Sequence, residues 1–156
     1  MPGDSVLFLA AKTNYPNYFK YVMQHGGNPN FVSGHEGFRT SPLKALMKGR
    51  CPNKSEAVQL LIDAGADLEY RESSLNTTAL SYSLPDYPIT LQLLKAGASF
   101  NECKDDGATF LHHFLSLHLD LLVYPEIKEE YQSVLEWLEA NGADIEGAKK
   151  DIRLVA

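Results

Sequence analysis

Apolar residues recur at helical spacing in four stretches of the chain, and a similar glycine-containing segment follows each stretch. The apolar stretches are 18–23, 57–62, 89–94 and 134–138. Apolar positions at i, i+3 and i+4 form one stripe on a helix, so each stretch predicts a helix that packs on a neighbour. The segments that follow are 25–30, 64–69, 96–101 and 141–146. Their glycines predict helix ends, because glycine adopts the left-handed conformation readily.

A shorter helical signal precedes each of these four helices. The shorter segments are 5–11, 41–47, 78–84 and 109–115, and each begins with Ser or Thr. A hydroxyl there caps the free backbone N–H groups of a helix start, and Pro42 falls at the first helical position, where proline is tolerated. The first glycines that the four following segments share are 39, 32 and 45 residues apart. The pattern therefore predicts four repeats of two helices each.

The paired segments resemble the ankyrin repeat, whose helices carry the motifs T-P-L-H-x-A-A and L-L-x-x-G-A-D-x-N. Segment 105–109, Asp-Asp-Gly-Ala-Thr, is similar to the D-x-x-G-x-T entry of the family's hairpin. The resemblance spans about residues 4 to 146 and implies an all-α ankyrin-repeat solenoid of about four helix-turn-helix repeats with hairpin loops. It implies a single domain over residues 1–156, with repeats 1 to 4 at about 4–30, 31–69, 70–101 and 102–146, and a C-terminal tail at 147–156.

The repeats depart from the ankyrin motif in their loops. Repeat 2 has a long hairpin loop at 31–40, and repeat 4 has an apolar insertion at 116–124. The insertion either covers the end of the stack or forms an exposed docking patch, and cover is favoured because large apolar patches are uncommon on monomers. The last long helix is predicted to begin near Pro125, and its polar outer side is typical of an elongated capping repeat. We expect Trp137 to pack against the insertion.

The charge of the chain narrows the classes of partner. The formal net charge is −6 and the pI about 5.3, so a nucleic-acid phosphate backbone would be repelled. Charges of both signs are interspersed along the sequence, and a protein with a basic patch is the expected partner. No stretch approaches the ~18 apolar residues of a membrane span. No signal peptide is visible, so we expect a cytoplasmic protein, or a periplasmic one if a leader has been removed.

The histidines and cysteines do not form a catalytic or metal-binding pattern. His112 and His113 are adjacent, so they point to different sides of a helix. The resemblance implies a structural role for His112, which stands at the histidine of the ankyrin motif. Cys51 and Cys103 are either two thiols or one disulfide. No zinc-protease, nucleophile-elbow or phosphate-loop motif is present, and we expect no enzyme activity, metal or cofactor.

The resemblance implies that the hairpin tips and the ends of the first helices are exposed and specify a protein partner. Aromatic and arginine side chains are the usual anchors of such interfaces. Phe31 and Phe38 either anchor a partner or fill a small core of their own loop, and Arg39 is expected to face solvent. The predicted partner-binding residues are Lys12, Phe31, His35, Phe38, Arg39, Lys48, Arg50, Arg71, Glu72, Leu75, Asp105 and Asp106.

Two biological roles are compatible with such a protein. Small ankyrin proteins with irregular repeats resemble the bacterial immunity proteins that neutralise a secreted antibacterial toxin, including type VI secretion effectors. Segment 130–138, which follows the insertion, is similar to the endings of that group. This resemblance implies an inhibitor that occludes the active site of the toxin. The alternative is a general ankyrin scaffold or adaptor, and in both roles we expect the protein alone to be monomeric.

Overall fold

A computed structural model describes residues 6–12, 16–33, 39–49, 51–71, 76–101, 107–117 and 125–155. The helices are α1 (Val6–Lys12), α2 (Pro16–Gln24), α3 (Pro42–Lys48), α4 (Lys54–Asp63), α5 (Ala79–Ser83), α6 (Tyr87–Lys95), α7 (Phe110–Ser116), α8 (Lys128–Ala140) and α9 (Ile145–Val155). A 3₁₀ turn at Pro125–Ile127 leads into α8. Within the described ranges, extended pairing is limited to isolated bridges such as the antiparallel one between Ser33 and Thr40.

Helix α3 begins at its predicted cap, and the predicted glycine follows helix α4. The Ser41 hydroxyl accepts a hydrogen bond from the Lys44 backbone N–H at 3.3 Å, and Pro42 occupies the first turn of α3. After α4, Gly65 has a φ of +78°. A side chain is strained in that conformation, so glycine is favoured at this turn. The corresponding glycines of the other three repeats also have positive φ.

The chain divides into two compact units, an N-terminal unit (Met1–Tyr82) and a C-terminal unit (Ser83–Ala156). In the N-terminal unit α1 packs on α2 and α3, α2 packs on α4, and α3 packs on α4. The apolar stripes of these helices form the core, which includes the fully buried Phe19, Leu46 and Leu61. Burying one such side chain is worth about 1.5–3 kcal/mol, so the stripes hold the two helix pairs together.

A side chain from the first glycine turn links repeat 1 to repeat 2 within the N-terminal unit. The Asn30 amide donates to the Gly65 carbonyl oxygen at 2.9 Å, and its side-chain oxygen accepts from the Asp67 backbone N–H at 2.7 Å. Asn30, which follows the helix-ending glycine of repeat 1, is therefore part of the packing between repeats 1 and 2.

The core of the C-terminal unit is rich in aromatic rings. In this unit α6 packs on α8 and α7 packs on α9. Phe114 stacks on Tyr131 with 4.5 Å between ring centroids, and Tyr87 meets both rings edge-on at 6.1 and 5.5 Å. Burial, with a smaller contribution from Tyr87, raises the pKa of Tyr131 to about 12. The phenol is therefore held neutral in the folded core over the ordinary pH range.

The segment expected as a C-terminal tail, 147–156, lies almost entirely in a helix. The Asp144 side chain accepts from the Gly147 backbone N–H at 2.8 Å, which is the contact of a helix N-cap. Ile145 and Ala148 are buried where α9 packs on α7. The sequence contains a signal for this helix, since Asp144 precedes apolar residues at i, i+3 and i+7, but the same aspartate also fits the preceding glycine turn. An additional helix therefore follows repeat 4.

Trp137 of α8 makes a contact that the sequence analysis did not anticipate. Its ring meets Phe100 edge-on at 6.2 Å between centroids. The insertion that we expected as its neighbour lies largely outside the described residues. Cys51 is a buried free thiol, and Cys103 lies outside the described residues.

Candidate functional site

The predicted partner-binding residues whose side chains the structure describes all lie in the N-terminal unit. They are Phe31, Arg39, Lys48 and Arg71. Lys12 ends α1, but its side chain is outside the description. The predicted residues that lie outside the described ranges are His35, Phe38, Arg50, Glu72, Leu75, Asp105 and Asp106. The described part of the candidate site therefore lies on the N-terminal unit.

A two-way backbone bridge holds the ends of the long hairpin loop of repeat 2. The Ser33 N–H donates to the Thr40 carbonyl at 3.1 Å, and the Thr40 N–H donates to the Ser33 carbonyl at 2.9 Å. Ser33 and Thr40 are buried, whereas Phe31 and Arg39 on either side of the bridge are exposed. Phe31 is 38% exposed. Arg39 faces solvent as expected.

The next hairpin is tied to this loop and closed by its own side chains. The Tyr70 hydroxyl donates to the Arg39 carbonyl oxygen at 3.3 Å. Arg71 is half-buried, and its Nη1 donates to the Asn76 side-chain oxygen at 3.1 Å. Asn76 has a φ of +45°, a left-handed conformation that asparagine tolerates better than most residues. These contacts place Arg39 and Arg71 on neighbouring, anchored loops.

Lys44 is a buried cation that the sequence analysis missed. Its side chain is fully buried in α3, and its Nζ donates to the Thr77 carbonyl at 2.6 Å and to the Thr77 hydroxyl at 2.9 Å. The Nζ also lies 4.6 Å from the centroid of the Tyr82 ring. A buried ammonium is costly unless it is hydrogen-bonded, and a ring face adds cation–π attraction. Lys44 thus fastens the second hairpin to α3.

The sequence did contain a signal for Lys44. It stands in repeat 2 at the motif position that His112 occupies in repeat 4. His112 makes local contacts: its Nδ1 accepts from the Thr109 backbone N–H at 3.0 Å, and its own N–H donates to the Thr109 hydroxyl at 3.3 Å. This capping box agrees with the structural role that the resemblance implied for His112. Lysine is longer than histidine, and it reaches a residue 33 positions away instead.

Lys48 lies one helical turn beyond Lys44 and shares its aromatic neighbour. The Lys48 Nζ is 4.7 Å from the centroid of the Tyr82 ring, and the residue is exposed. Gly49 follows at the end of α3, where a Cβ atom would lie 2.7 Å from the Ala11 carbonyl oxygen. Only glycine permits this approach of α3 to α1, so the backbone that carries Lys48 is held at a defined position.

The two units differ in charge, and this changes the expected partner. Met1–Tyr82 contains eight Lys and Arg against seven Asp and Glu, a formal charge of +1, whereas Ser83–Ala156 contains six against thirteen, a charge of −7. The acidic surplus therefore belongs to the C-terminal unit. The described charged residues of the candidate site, Arg39, Lys48 and Arg71, are all cationic. The expectation of a basic partner came from the net charge, which averages over two unlike halves.

Within the described ranges, no three His, Cys, Asp or Glu side chains come together in a group suited to holding a metal ion. None of the helices in the described part of the chain combines the length and the apolar character of a membrane span.

Comparison with known proteins finds ankyrin repeat proteins. An ankyrin repeat protein of Fowlpox virus (strain NVSL), FPV031, is 34% identical to the chain over 111 residues. The alignment covers 70% of this chain and 31% of the viral protein, so the chain spans less than a third of that relative.

A solved structure with the same fold is the ankyrin repeat domain of Bcl-3, described as a unique member of the IkappaB protein family. It matches with a TM-score of 0.54 and 23% sequence identity, over 67% of this chain and 44% of that chain. At this identity the likeness establishes the fold. No protein-family model matches the chain.

Proposed function

The chain has an all-α ankyrin-repeat fold, and from that premise we propose that it is a non-catalytic protein-binding module. Its candidate docking surface is the loop face, which we define as Phe31, Arg39, Lys48 and Arg71 of the N-terminal unit. The observation that carries the proposal is that Phe31, Arg39 and Arg71 are exposed or half-buried on loops held by hydrogen bonds, with Lys48 at the end of α3.

Anchored loop ends favour binding because the backbone at those ends is held before the partner arrives. The Ser33–Thr40 bridge holds the two ends of the first hairpin loop, and the buried Lys44 holds Thr77, which follows the second loop. Binding then costs less conformational entropy than it would with free loops. Arginine and aromatic side chains are frequent hot spots of protein interfaces, which makes Arg39 and Phe31 the first residues to test.

The charge of the loop face favours a partner with an acidic surface. Arg39 and Lys48 are exposed, and Arg71 is half-buried. Complementary charge at an interface increases the association rate and helps to exclude wrong partners. A basic partner would instead suit the acidic C-terminal unit.

The adaptor is the role that the comparisons favour, because the relatives found are an ankyrin repeat protein and an ankyrin repeat domain. An immunity protein that occludes a toxin would use the same loop face and is the narrower alternative. Neither relative is named for neutralising a toxin. The two roles differ in the partners they require: an inhibitor binds one toxin at nanomolar affinity or better, whereas an adaptor binds one or more proteins more weakly, down to micromolar affinity.

The proposal is tested by affinity capture with the full chain, followed by binding measurements on each protein recovered. We expect Arg39→Glu to weaken the complex at least about tenfold, since it reverses an exposed charge of the loop face. The matched control is Lys128→Glu, which makes the same change of net charge at an exposed position of α8 in the C-terminal unit. Equal weakening by both variants, or by neither, would contradict the loop face.

A further inference from the structure

The second helix of each repeat ends in a glycine turn, but the residue before the glycine differs between repeats. It is His25, Ala64, Ala96 and Asn141 in repeats 1 to 4. Ala64, Ala96 and Asn141 have similar backbone angles, with φ of −83°, −78° and −102° and ψ of 2°, −5° and 16°. Because alanine adopts this conformation in two repeats, the turn itself does not require an asparagine.

Asn141 differs from the other asparagines of the chain because a glycine follows it. The other seven asparagines, at positions 14, 17, 28, 30, 53, 76 and 101, all precede larger residues. An asparagine before glycine is prone to deamidation, because no side chain on the glycine hinders the attack of its nitrogen on the asparagine side chain. The sequence therefore places the most reactive asparagine at the end of α8.

The deamidation reaction joins two groups that are adjacent in the chain. The Gly142 backbone nitrogen loses its proton to hydroxide and attacks Cγ of Asn141. A cyclic imide forms as the Cγ–Nδ2 bond breaks, and ammonia leaves with a proton taken from water. Water then opens the ring at Cγ to give aspartate, or at the backbone carbonyl to give isoaspartate. The reaction needs water and hydroxide alone.

The turn at the end of α8 holds both reacting groups in other contacts. Nδ2 of Asn141 donates to the Trp137 carbonyl oxygen at 2.8 Å. The Gly142 N–H donates to the Glu139 carbonyl oxygen at 3.1 Å. The Gly142 proton must leave and the asparagine side chain must turn toward that nitrogen, so both hydrogen bonds have to break before the ring can close. The reaction therefore requires local opening of the turn.

We propose that Asn141 is a site of spontaneous deamidation, that the folded turn protects it, and that the product weakens this turn. Aspartate at position 141 cannot donate the hydrogen bond that Nδ2 makes to Trp137. It also places a carboxylate at the C-terminal end of α8, where the helix dipole disfavours negative charge. Isoaspartate, in addition, lengthens the backbone of the turn by one carbon atom.

The same turn positions the helix that follows it. The Ala143 N–H donates to the Leu138 carbonyl oxygen at 3.0 Å, and the Ile145 N–H donates to the Ala143 carbonyl oxygen at 2.9 Å. Asp144 then caps α9, which packs on α7. Deamidation of Asn141 therefore loosens the connection between α8 and α9 within the C-terminal unit, and it does so independently of any protein bound at the loop face.

Peptide mapping by mass spectrometry tests the proposed site, with the full chain incubated at mildly alkaline pH either folded or unfolded in guanidinium chloride. We expect Asn141 to convert at least about tenfold faster in the unfolded chain, since the turn no longer has to open. Asn30 and Asn53 are internal controls, because Phe31 and Lys54 follow them, and both should convert more slowly than Asn141 in the unfolded chain. Equal rates for Asn141 in the two states would overturn the protection. Equal rates for the three asparagines in the unfolded chain would overturn the site.

The effect of the product is tested with Asn141→Asp, and Asn141→Ala is the matched control. Both variants lose the side-chain hydrogen bond, but only the first adds a charge, and Ala64 and Ala96 show that alanine fits this turn. We expect hydrogen-exchange protection factors at Gly142 and Ala143 to be about two- to fivefold lower in Asn141→Asp than in Asn141→Ala. Circular dichroism checks that both variants keep their helix content. Equal protection in the two variants would overturn the proposed weakening by charge.

Discussion

Both compact units of this protein have an apolar core, and they differ in the side-chain contacts that are added to it. In the N-terminal unit, polar side chains reach between repeats: Asn30 bonds to the turn after α4, and Lys44 bonds to Thr77 in the following hairpin. In the C-terminal unit the described core is a cluster of rings, in which Phe114 stacks on Tyr131 and Tyr87 meets both edge-on. The side-chain hydrogen bonds of the N-terminal unit position its loops, whereas the ring contacts of the C-terminal unit join its helices.

This difference matches the surfaces of the two units. The N-terminal unit presents the cationic loop face, and its formal charge is +1. The C-terminal unit has a formal charge of −7 and an acidic exposed side on α8. The unit with anchored loops is thus the one that we assign to binding. Three perturbations test this contrast between the units.

The largest effect is expected from removing a ring in the C-terminal unit. Phe114→Ala deletes a fully buried side chain that touches Tyr87, Phe110 and Tyr131. We expect a loss of about 3–5 kcal/mol in the free energy of unfolding, since a large cavity replaces the ring. Urea unfolding measures the loss, and hydrogen exchange locates it. Exchange that increases as much in α3 and α4 as in α6 to α8 would show that the two units unfold together.

High pH should weaken the C-terminal unit through Tyr131. Its pKa is raised to about 12 from an ordinary value of 10.0, so the folded state favours the neutral phenol. The resulting stabilisation is complete below pH 10 and is lost as the pH rises through 12, up to about 2–3 kcal/mol.

Unfolding of the wild type between pH 9 and 12, compared with Tyr131→Phe, isolates this effect, because phenylalanine cannot ionise. We expect the variant to keep a flatter dependence of the free energy of unfolding on pH over that range. Parallel curves for the two proteins would assign the alkaline sensitivity to other groups.

The smallest of the three effects on stability is expected from Lys44→Met. Methionine keeps most of the side-chain volume but cannot donate to the Thr77 carbonyl and hydroxyl. We expect a loss of about 1–2 kcal/mol in the free energy of unfolding, from acceptors left without this donor.

Hydrogen exchange gives a more informative test of Lys44→Met, because it reports on the second hairpin alone. Backbone amides around Arg71 and Asn76 should exchange faster, because the second hairpin loses its anchor to α3. Lys20→Met removes a lysine that is about half exposed, and its ion pair with Glu56 is worth little. That control should leave the hairpin unchanged. Equal exchange in both variants would mean that Lys44 does not fix the hairpin.

The sequence predicted the helices because the signals for them are local. The Ser41 cap, Pro42 in the first turn and the left-handed Gly65 act within a few residues of themselves. The amphipathic runs of α2, α4, α6 and α8 are also readable without any partner. Helix α9 was not predicted because its local signal is ambiguous: Asp144 can end a turn or begin a helix. The packing of α9 on α7 decides between the two.

The sequence alone determined the repeat, the ends of the helices that carry clear caps or glycines, and the class of the fold, because periodicity, caps and glycines depend on the nearest neighbours in the chain. Only the tertiary structure decided which cation is buried and which apolar side chains stay exposed. Lys44 meets Thr77 across 33 positions, and Leu9 differs from the buried Ala45 of repeat 2 in exposure, although both are apolar residues at the same motif position. Burial depends on what packs against a residue, and local pattern does not contain that information.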